Sequence, residues 1–173
     1  MSKRLTLQEF IARTVEEELK RRPEGLAFEF AEEGISDIGF EDVVMTADIQ
    51  GQEVGHIRVS WIPSQTFSTL YPDEQAFQAA GVKSIYYANR EELFDFAVDK
   101  PNVEFIYTEK EFTRQGIAIA MYEEMAKYLA KRGLKLYASP LQHDHAQAAW
   151  AWLKANAGAH VGSEDRRLFL SFL

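Results

Sequence analysis

Residues 106–139, IYTEKEFTRQGIAIAMYEEMAKYLAKRGLKLYAS, decide the fold because they change from strand to helix and back to strand. The first strand covers NVEFIYT at 102–108, where β-branched and aromatic residues are frequent. After Gly116, apolar residues recur every three or four positions, which predicts an amphipathic helix from Ile117 to Arg132. LKLYAS at 134–139 predicts the second strand. The expected core stripe of the helix is Ile117, Ala120, Met121, Met125, Tyr128 and Leu129.

The amino-terminal part of the chain predicts a helix followed by a strand. Thr6 stands three residues before Glu9, which is the spacing of a capping box, and an apolar stripe follows up to Pro23. The alternation in LAFEF at 26–30 predicts a half-buried strand. Glycines and acids without a sustained period predict a loop over 31–42.

The middle of the chain predicts a β-hairpin and then a less regular region. Two extended runs flank Gln50-Gly51-Gln52 and end at Pro63. Between 64 and 100, only DEQAFQAAG and REELFDFAV have helical character. A further helix is expected from about Asp144, followed by extended runs at HVGS and RRLFLSFL. This order of elements predicts an α/β or α+β architecture with a mixed sheet.

The length, composition and charge of the chain limit the functions that it could have. A chain of 173 residues with 46% hydrophobic content is expected to form one domain. It has no cysteine, which excludes thiol nucleophiles, disulfides and thiolate metal sites. The formal net charge of -8 disfavours nucleic acid and anionic lipid, and modestly favours a cationic substrate. The first residues lack the apolar core of a signal peptide, and no apolar run approaches the roughly 20 residues that span a bilayer, so a cytoplasmic protein is expected.

The start of the helix after Gly116 is a candidate anion site. The first turn of a helix leaves backbone N–H groups without partners, and its dipole favours negative charge. The small residues Gly116 and Ala118 would let a phosphate approach the backbone. Taken alone, such a pair is more often a tight turn. The segment is neither a Walker A loop nor a dinucleotide fingerprint, because both glycine patterns are absent.

In its wider context, the segment resembles the acetyl-CoA-binding segment of the GNAT N-acetyltransferase superfamily. That pattern runs from an apolar strand through a Glu-Tyr-like loop and Arg/Gln-x-x-Gly-x-Gly/Ala into an amphipathic helix, a glycine and a strand. Here Glu111-Phe112 match the loop, Gly116-Ile117-Ala118 match the glycine element, and Gly133 ends the helix. Thr113 stands at the position of the usual Arg or Gln, with Arg114 next to it.

The resemblance implies a GNAT-like fold, with a mixed, mostly antiparallel sheet of about six to seven strands flanked by helices in one domain over 1–173. It implies acetyl-CoA as cofactor and direct acetyl transfer to a primary amine. Main-chain amides from about Gln115 to Ala118 would surround the pyrophosphate, and the pantetheine arm would pair with the preceding strand. The cofactor-binding residues so implied are Ile106, Tyr107, Thr108, Thr113, Arg114, Gln115, Gly116, Ile117 and Ala118.

The family often uses a carboxylate on this strand as the general base, and Glu104 is the candidate, with Glu109 as second choice. Strand alternation predicts one face with Asn102, Glu104, Ile106 and Thr108, opposite Val103, Phe105 and Tyr107. Many members carry an acidic tyrosine on the last helix, where this chain has Trp150, Trp152 and Leu153. The candidate replacements are Tyr122, Tyr137, His143 and His145, and departure of the thiolate without a dedicated acid is the remaining alternative.

His143-Asp144-His145 does not predict a metal site, because histidines two residues apart cannot share a helix face as an i, i+4 pair does. Asp144 is expected to cap the helix, and no metal is expected.

The leading hypothesis is therefore an N-acetyltransferase whose partners are acetyl-CoA and an amine, which is either a small molecule or a protein. A homodimer is left open. The alternative is a non-catalytic acyl-CoA-binding or protein-interaction module with the same fold, and a third interpretation is a purely structural glycine turn. The acceptor side is expected from the first helix and from residues 64–100.

Overall fold

The computed structural model describes residues 6, 9, 23–113, 116–142, 144–156, 160–164 and 167–173. Its strands, numbered along the chain, are β1 (Leu26–Ile35), β2 (Glu41–Ile49), β3 (Gln52–Trp61), β4 (Asn102–Thr108), β5 (Leu136–Tyr137), β6 (His160–Glu164) and β7 (Arg167–Ser171). Its helices in that part of the chain are α1 (Ser64–Leu70), α2 (Glu74–Ala80), α3 (Arg90–Ala97), α4 (Ile117–Ala130) and α5 (Asp144–Asn156), with a 3₁₀ turn at Lys110–Phe112.

The strands form one mixed sheet in the order β1-β2-β3-β4-β5-β7-β6. Neighbouring strands are antiparallel except for β4 and β5, which are parallel and joined through α4. The predicted α+β architecture with a mixed, mostly antiparallel sheet and flanking helices is confirmed. The predicted strand over 134–139 is confirmed only at Leu136–Tyr137.

The predicted hairpin joins β2 to β3. Gln50 and Gly51 both have positive φ, 54° and 85°, as a two-residue type I′ turn requires. The amide of Gly51 donates to a carboxylate oxygen of Asp48 across 2.7 Å, which fixes the turn. The prediction at Gln50-Gly51-Gln52 is confirmed, and the following strand ends at Trp61, two residues before the predicted Pro63.

The predicted loop over 31–42 is wrong, because β1 continues to Ile35 and β2 begins at Glu41. The second half of β1 is exposed on both faces, so its sequence lacks the apolar alternation that marks a half-buried strand. A bulge at Glu33 also shifts the register with β2. This strand lies at the edge of the sheet, where acidic side chains discourage pairing with another chain.

Residues 64–100 contain three helices and a second apolar core. The helices expected from DEQAFQAAG and REELFDFAV are confirmed as α2 and α3, whereas α1 was not predicted. Both confirmed helices have side-chain caps: Asp73 accepts from the amide of Ala76, and Asn89 accepts from the amide of Glu92. Buried members of this core are Ile62, Phe67, Tyr71, Phe77, Leu93, Ala97 and Val98.

The main core lies between the sheet and helices α4 and α5. The predicted stripe of α4 is buried except at Tyr128, which is half-buried. The helix ends at Ala130 rather than Arg132, and Gly133 follows with a left-handed φ of 73°. The amide of Leu134 reaches back to the carbonyl of Leu129 across 3.1 Å, as in a Schellman motif. Ile119, Tyr122 and Ala126 of this helix are buried as well.

At the amino terminus, the predicted capping box is present. The backbone amide of Glu9 donates to the hydroxyl of Thr6 across 3.2 Å, and the Glu9 carboxylate accepts from the amide of Thr6 across 2.8 Å. The rest of the predicted helix lies outside the described residues. Among the described residues, no helix is both long enough and apolar enough to span a membrane.

Candidate functional site

The parallel strands β4 and β5 share a single residue pair. Asn102 is aligned with Tyr137, and the amide of Tyr137 donates to the carbonyl of Pro101 across 2.8 Å. β4 continues for six more residues to Thr108, whereas β5 ends at Tyr137. On its other side, β4 is paired with β3 as far as Thr108. The described ladder therefore leaves the β5 side of β4 without a strand partner beyond Asn102, and we call this opening the β4–β5 gap.

The main-chain groups that face the gap come from alternate residues. The amide of Glu109 donates to Val54 of β3 across 2.8 Å, and a Cβ built on Gly55 would lie 2.5 Å from the carbonyl oxygen of Tyr107. Tyr107 therefore directs its backbone towards β3. Because successive residues of a strand direct their backbone groups to opposite edges, Ile106 and Thr108 direct theirs into the gap. Two of the three residues implied for the pantetheine arm thus offer main-chain hydrogen bonds there.

Helix α4 begins just after the same end of β4. Gly116 precedes it with a φ of 73°, a left-handed conformation that favours glycine, and no side chain in the described ranges caps the helix. The first bond of the helix runs from the amide of Ala120 to the carbonyl of Gly116 at 3.0 Å, so the amides of Ile117 and Ala118 precede the helical ladder. Arg114 and Gln115 lie outside the described residues.

Thr113 already uses its hydroxyl hydrogen within the chain. The hydroxyl donates to the carbonyl of Lys110 across 2.9 Å and closes the 3₁₀ turn before α4. Phosphate oxygens accept hydrogen bonds, so Thr113 would have to break this bond in order to donate to a pyrophosphate. The main-chain amides of α4 are the better donors.

Glu104 is the extra residue of a β-bulge. Arg58 of β3 is paired with Phe105 and Val59 with Val103, which leaves Glu104 unpaired between them. The strict alternation predicted for this strand is therefore wrong at this point. Phe105 and Glu104 lie on the same face, which is opposite to the face where Val103 joins the main core. A bulge also bends its strand, and this bend lies where β4 departs from β5.

Three polar groups from neighbouring strands surround the Glu104 carboxyl. Arg58 donates to a carboxylate oxygen of Asp42 across 2.9 Å and is also paired with Glu33. Partial burial of the Glu104 carboxyl and the negative charge of Asp42 raise its pKa, whereas Arg58 and a hydrogen bond from Ser60 lower it, with a net increase. A carboxylate with a raised pKa is a stronger base, which suits proton abstraction from an amine.

Glu109, the second candidate base, lies beyond the end of β4. Its carboxylate is exposed and accepts a hydrogen bond from the hydroxyl of Tyr107 across 3.1 Å. Both residues are exposed, but Glu104 forms the bulge itself and its pKa is raised by its surroundings, so it is the better candidate for a base acting at the β4–β5 gap.

Two of the candidate acids are buried in the fold. Burial raises the pKa of Tyr122 to about 12, although a hydrogen bond from the indole of Trp150 offsets part of the shift. Tyr137 is 4% exposed, with its ring near Phe169 and the guanidinium of Arg167 over its face. Neither tyrosine is placed to deliver a proton to a ligand without rearrangement. His143 and the side chain of His145 lie outside the described residues.

Helix α5 carries the residues that stand where a tyrosine was expected. Trp150 and Leu153 are buried in the main core, and Trp152 is half-buried against it. Asp144 is the first residue of the helix rather than the residue before it. The described part of the chain contains no group of three acidic or histidine residues placed to hold a metal.

Asp42, Arg58 and Ser60 were not identified from the sequence. They meet Glu104 because β2, β3 and β4 are neighbours in the sheet, with Asp42 opposite Ser60 in the hairpin. The predicted hairpin already implied that Asp42 and Ser60 lie close together, because each lies about the same number of residues from the turn. A bulge in β3 shifts that count by one residue, so the pairing could not be assigned from the sequence.

No protein-family model, curated protein or solved structure matches this chain.

Proposed function

We propose that the chain is an acetyl-CoA-dependent N-acetyltransferase with a GNAT-like fold, acting on a primary amine. The observation that carries the proposal is the combination of the β4–β5 gap with a helix that starts after its end and that no described side chain caps. The gap offers backbone groups of Ile106 and Thr108 to an extended arm, and α4 offers amides and a positive dipole end to a diphosphate. The cytoplasmic location expected from the sequence remains a prediction.

The described residues fit coenzyme A by the chemistry of their donors. The amides of Ile117 and Ala118 precede the helical ladder, and Gly116 has no Cβ to block an anion. Backbone donors and acceptors along one edge of β4 suit the amide groups of pantetheine. Bound acetyl-CoA would supply the activated acetyl group, and transfer would break its carbon–sulfur bond as the carbon–nitrogen bond forms.

Glu104 is the residue assigned to proton removal. An amine is nucleophilic only when neutral, so an ammonium substrate must lose a proton before or during attack. The carboxylate takes that proton directly or through one water, and its raised pKa increases its basicity. Because Tyr122 is buried in the core, the departing thiolate is expected to leave without protonation by this tyrosine.

The acceptor is expected on the sheet face that carries Glu104. That face also carries the exposed rings of Phe105 and Tyr107, and the carboxylate of Asp42 lies near Glu104. Carboxylates and ring faces together favour a cationic group over an anionic one. Residues 64–100 are expected to supply the remaining boundary. In the loop between α2 and α3, the pKa of Tyr87 is raised by burial and further by the charge of Glu104.

Incubation with acetyl-CoA and a panel of primary amines tests the proposal. Thiol release above the hydrolysis background, with an acetylated amine identified by mass spectrometry, is the expected result. A non-catalytic acyl-CoA-binding module is the second candidate, favoured by the buried Tyr122 and the engaged hydroxyl of Thr113. Coenzyme A binding in calorimetry without transfer to any amine would identify that module. Absence of both binding and thiol release would reject the two functions together.

A further inference from the structure

A cleft that is open to solvent lies at the carboxyl end of α3 and has a volume of about 280 Å³. Ligand pockets begin at about 300 Å³, so a cleft of this size suits a small organic molecule. None of the residues assigned above to coenzyme A or to proton removal lines it. The residues that line the cleft come from α3, the loop before it, the segment after β5 and the start of β7, and they are Tyr86, Glu92, Asp95, Phe96, Pro140 and Arg167.

Two carboxylates on one side of α3 belong to this lining. Glu92 and Asp95 are three residues apart, so their side chains are neighbours on the helix surface. The carboxylate of Glu92 accepts one hydrogen bond, from the amide of Ala88 across 2.6 Å. In the described part of the chain, no cationic side chain forms an ion pair with either carboxylate. The pair is therefore placed to bind a cationic group of a ligand.

Two cations of the chain lie at this end of α3, and both donate to main-chain oxygens. Arg167 donates to the carbonyls of Asp95 and Phe96 at 3.1 and 3.0 Å. The ammonium of Lys100 donates to the carbonyl of Asp95 across 2.7 Å. These carbonyls belong to the last turn of α3, where the helix dipole is negative. Only Arg167 of the two lines the cleft, so two carboxylates and one guanidinium give the lining a formal charge of -1, which favours a cationic ligand.

An aromatic wall stands beside the carboxylates. The rings of Tyr86 and Phe96 are stacked, with their centroids 5.1 Å apart and their planes within 2°. Tyr86 is 36% exposed, so part of its ring surface is open to a ligand. Ring faces attract an ammonium group and also pack against hydrocarbon. An anionic ligand would gain nothing from the carboxylates and would be repelled by them.

We propose that this cleft binds a small organic molecule that carries a primary ammonium on an apolar group. The ammonium has three N–H donors, enough to serve the carboxylates of Glu92 and Asp95 together, and the apolar group packs against Tyr86. The inference does not rest on acetyl transfer. An amine acceptor and an amine that binds without reacting share this chemistry, and the experiments below distinguish them.

The test compares phenethylamine, 2-phenylethanol and 3-phenylpropanoate, which join a phenyl ring to an ammonium, a hydroxyl and a carboxylate. In NMR titrations, phenethylamine should bind most tightly and 3-phenylpropanoate least. The double variant Glu92→Gln/Asp95→Asn should weaken phenethylamine binding about five- to tenfold and leave the binding of 2-phenylethanol unchanged. Glu91→Gln is the matched control, because Glu91 is an exposed acid of α3 that does not line the cleft, and it should bind phenethylamine like the wild type.

Equal affinities for the three probes, or unchanged phenethylamine affinity in the double variant, would overturn the inference. A ligand-free melting temperature lower in the double variant than in Glu91→Gln would also overturn it, because the carboxylates would then be paired within the chain. These measurements use no coenzyme A. Binding of phenethylamine without thiol release from acetyl-CoA in the presence of any amine would therefore leave the inference standing while the proposed transferase fails.

Kinetics with acetyl-CoA identify the role of the bound amine. Acetylation of phenethylamine, with a KM that rises in the double variant while kcat is kept, supports the cleft as the site of the acceptor. Binding of phenethylamine without its acetylation, while another amine is acetylated, supports a separate ligand site.

Discussion

The guanidinium of Arg167 donates to the side-chain oxygen of Asn102 across 2.5 Å and thereby links β7 to the start of β4. The amide of the same Asn102 side chain donates to the carbonyls of Phe96 and Lys100 at 3.1 and 2.7 Å. Arg167 also donates to the carbonyls of Phe96 and Asp95 at the end of α3. These bonds hold two strands and a helix together at the single point where β4 is paired with β5.

Replacement of Arg167 by Met should lower the free energy of unfolding by about 2–4 kcal/mol, because it removes several charge-assisted bonds, of which those to the Phe96 carbonyl and the Asn102 side chain are partly buried. The guanidinium also lies 4.8 Å from the ring centre of Phe96, a contact that Met replaces only in part. Urea unfolding measures the change. Lys131→Met, at an exposed cation after α4, is the control and should stay within about 0.5 kcal/mol of the wild type. Equal stability of the two variants would contradict the assignment of Arg167 as a structural link.

Glu104→Gln should reduce turnover by a factor of about 10² or more while leaving coenzyme A affinity unchanged. The wild-type rate should increase with pH as the carboxyl loses its proton, with an apparent pKa above the ordinary 4.5. The variant should lose that dependence. Glu109→Gln is the control, and normal turnover of Glu104→Gln across pH would remove Glu104 from the mechanism.

The same variant should alter stability in a pH-dependent way. The pKa of Glu104 is raised in the folded protein, so ionisation is disfavoured by folding, and stability is lost as pH increases through the folded pKa. Glu104→Gln cannot ionise. Its melting temperature should match that of the wild type below pH 4.5 and exceed it at pH 8. A difference of the opposite sign at pH 8 would mean that Arg58, rather than burial, dominates the environment of this carboxyl.

Gly116→Glu should weaken coenzyme A binding at least tenfold, because it places a carboxylate beside the expected diphosphate. Gly116 and Gly133 both have a φ of 73°, so Gly133→Glu introduces the same residue with similar backbone strain at the far end of α4. Each variant should lose about 1–2 kcal/mol of stability. Calorimetry should show reduced affinity only for Gly116→Glu, and equal affinities would place the diphosphate elsewhere.

Tyr122→Phe should leave turnover and its pH profile unchanged. Burial raises the pKa of Tyr122 to about 12, so the phenol stays protonated throughout the range in which the enzyme would be assayed. Its stability should fall by about 1–2 kcal/mol at every pH below 10, because the indole of Trp150 loses its acceptor. A pH-dependent loss of turnover would instead identify Tyr122 as an acid.

Patterns within a few consecutive residues correctly predicted the hairpin turn, helix α4 and the capping box, because each of these depends on one local conformational preference. Type I′ geometry requires residues that tolerate positive φ, so Gln50-Gly51 marked the hairpin directly. Helical periodicity located α4 within two residues, and Gly133 located its end. The capping box at Thr6 was equally local.

Features that depend on neighbouring strands were missed. The second half of β1 has no buried face, and its edge position comes from the sheet order, so residues 31–35 resembled a loop. The bulge at Glu104 is defined by its pairing with Arg58 and Val59, which no pattern within β4 reveals. The groups that set the pKa of Glu104 were missed for the same reason.

The bulge in β4 couples the presence of the Glu104 carboxylate to the bend of the strand. Because Glu104 is itself the extra residue, a one-residue deletion there would remove the carboxylate and also straighten the strand. Under the proposed function, the proposed proton acceptor would be lost and the course of β4 beside the β4–β5 gap would change in one genetic event. Under the proposed function, the extra residue of this strand thus serves both as a carboxylate and as the residue that bends the strand.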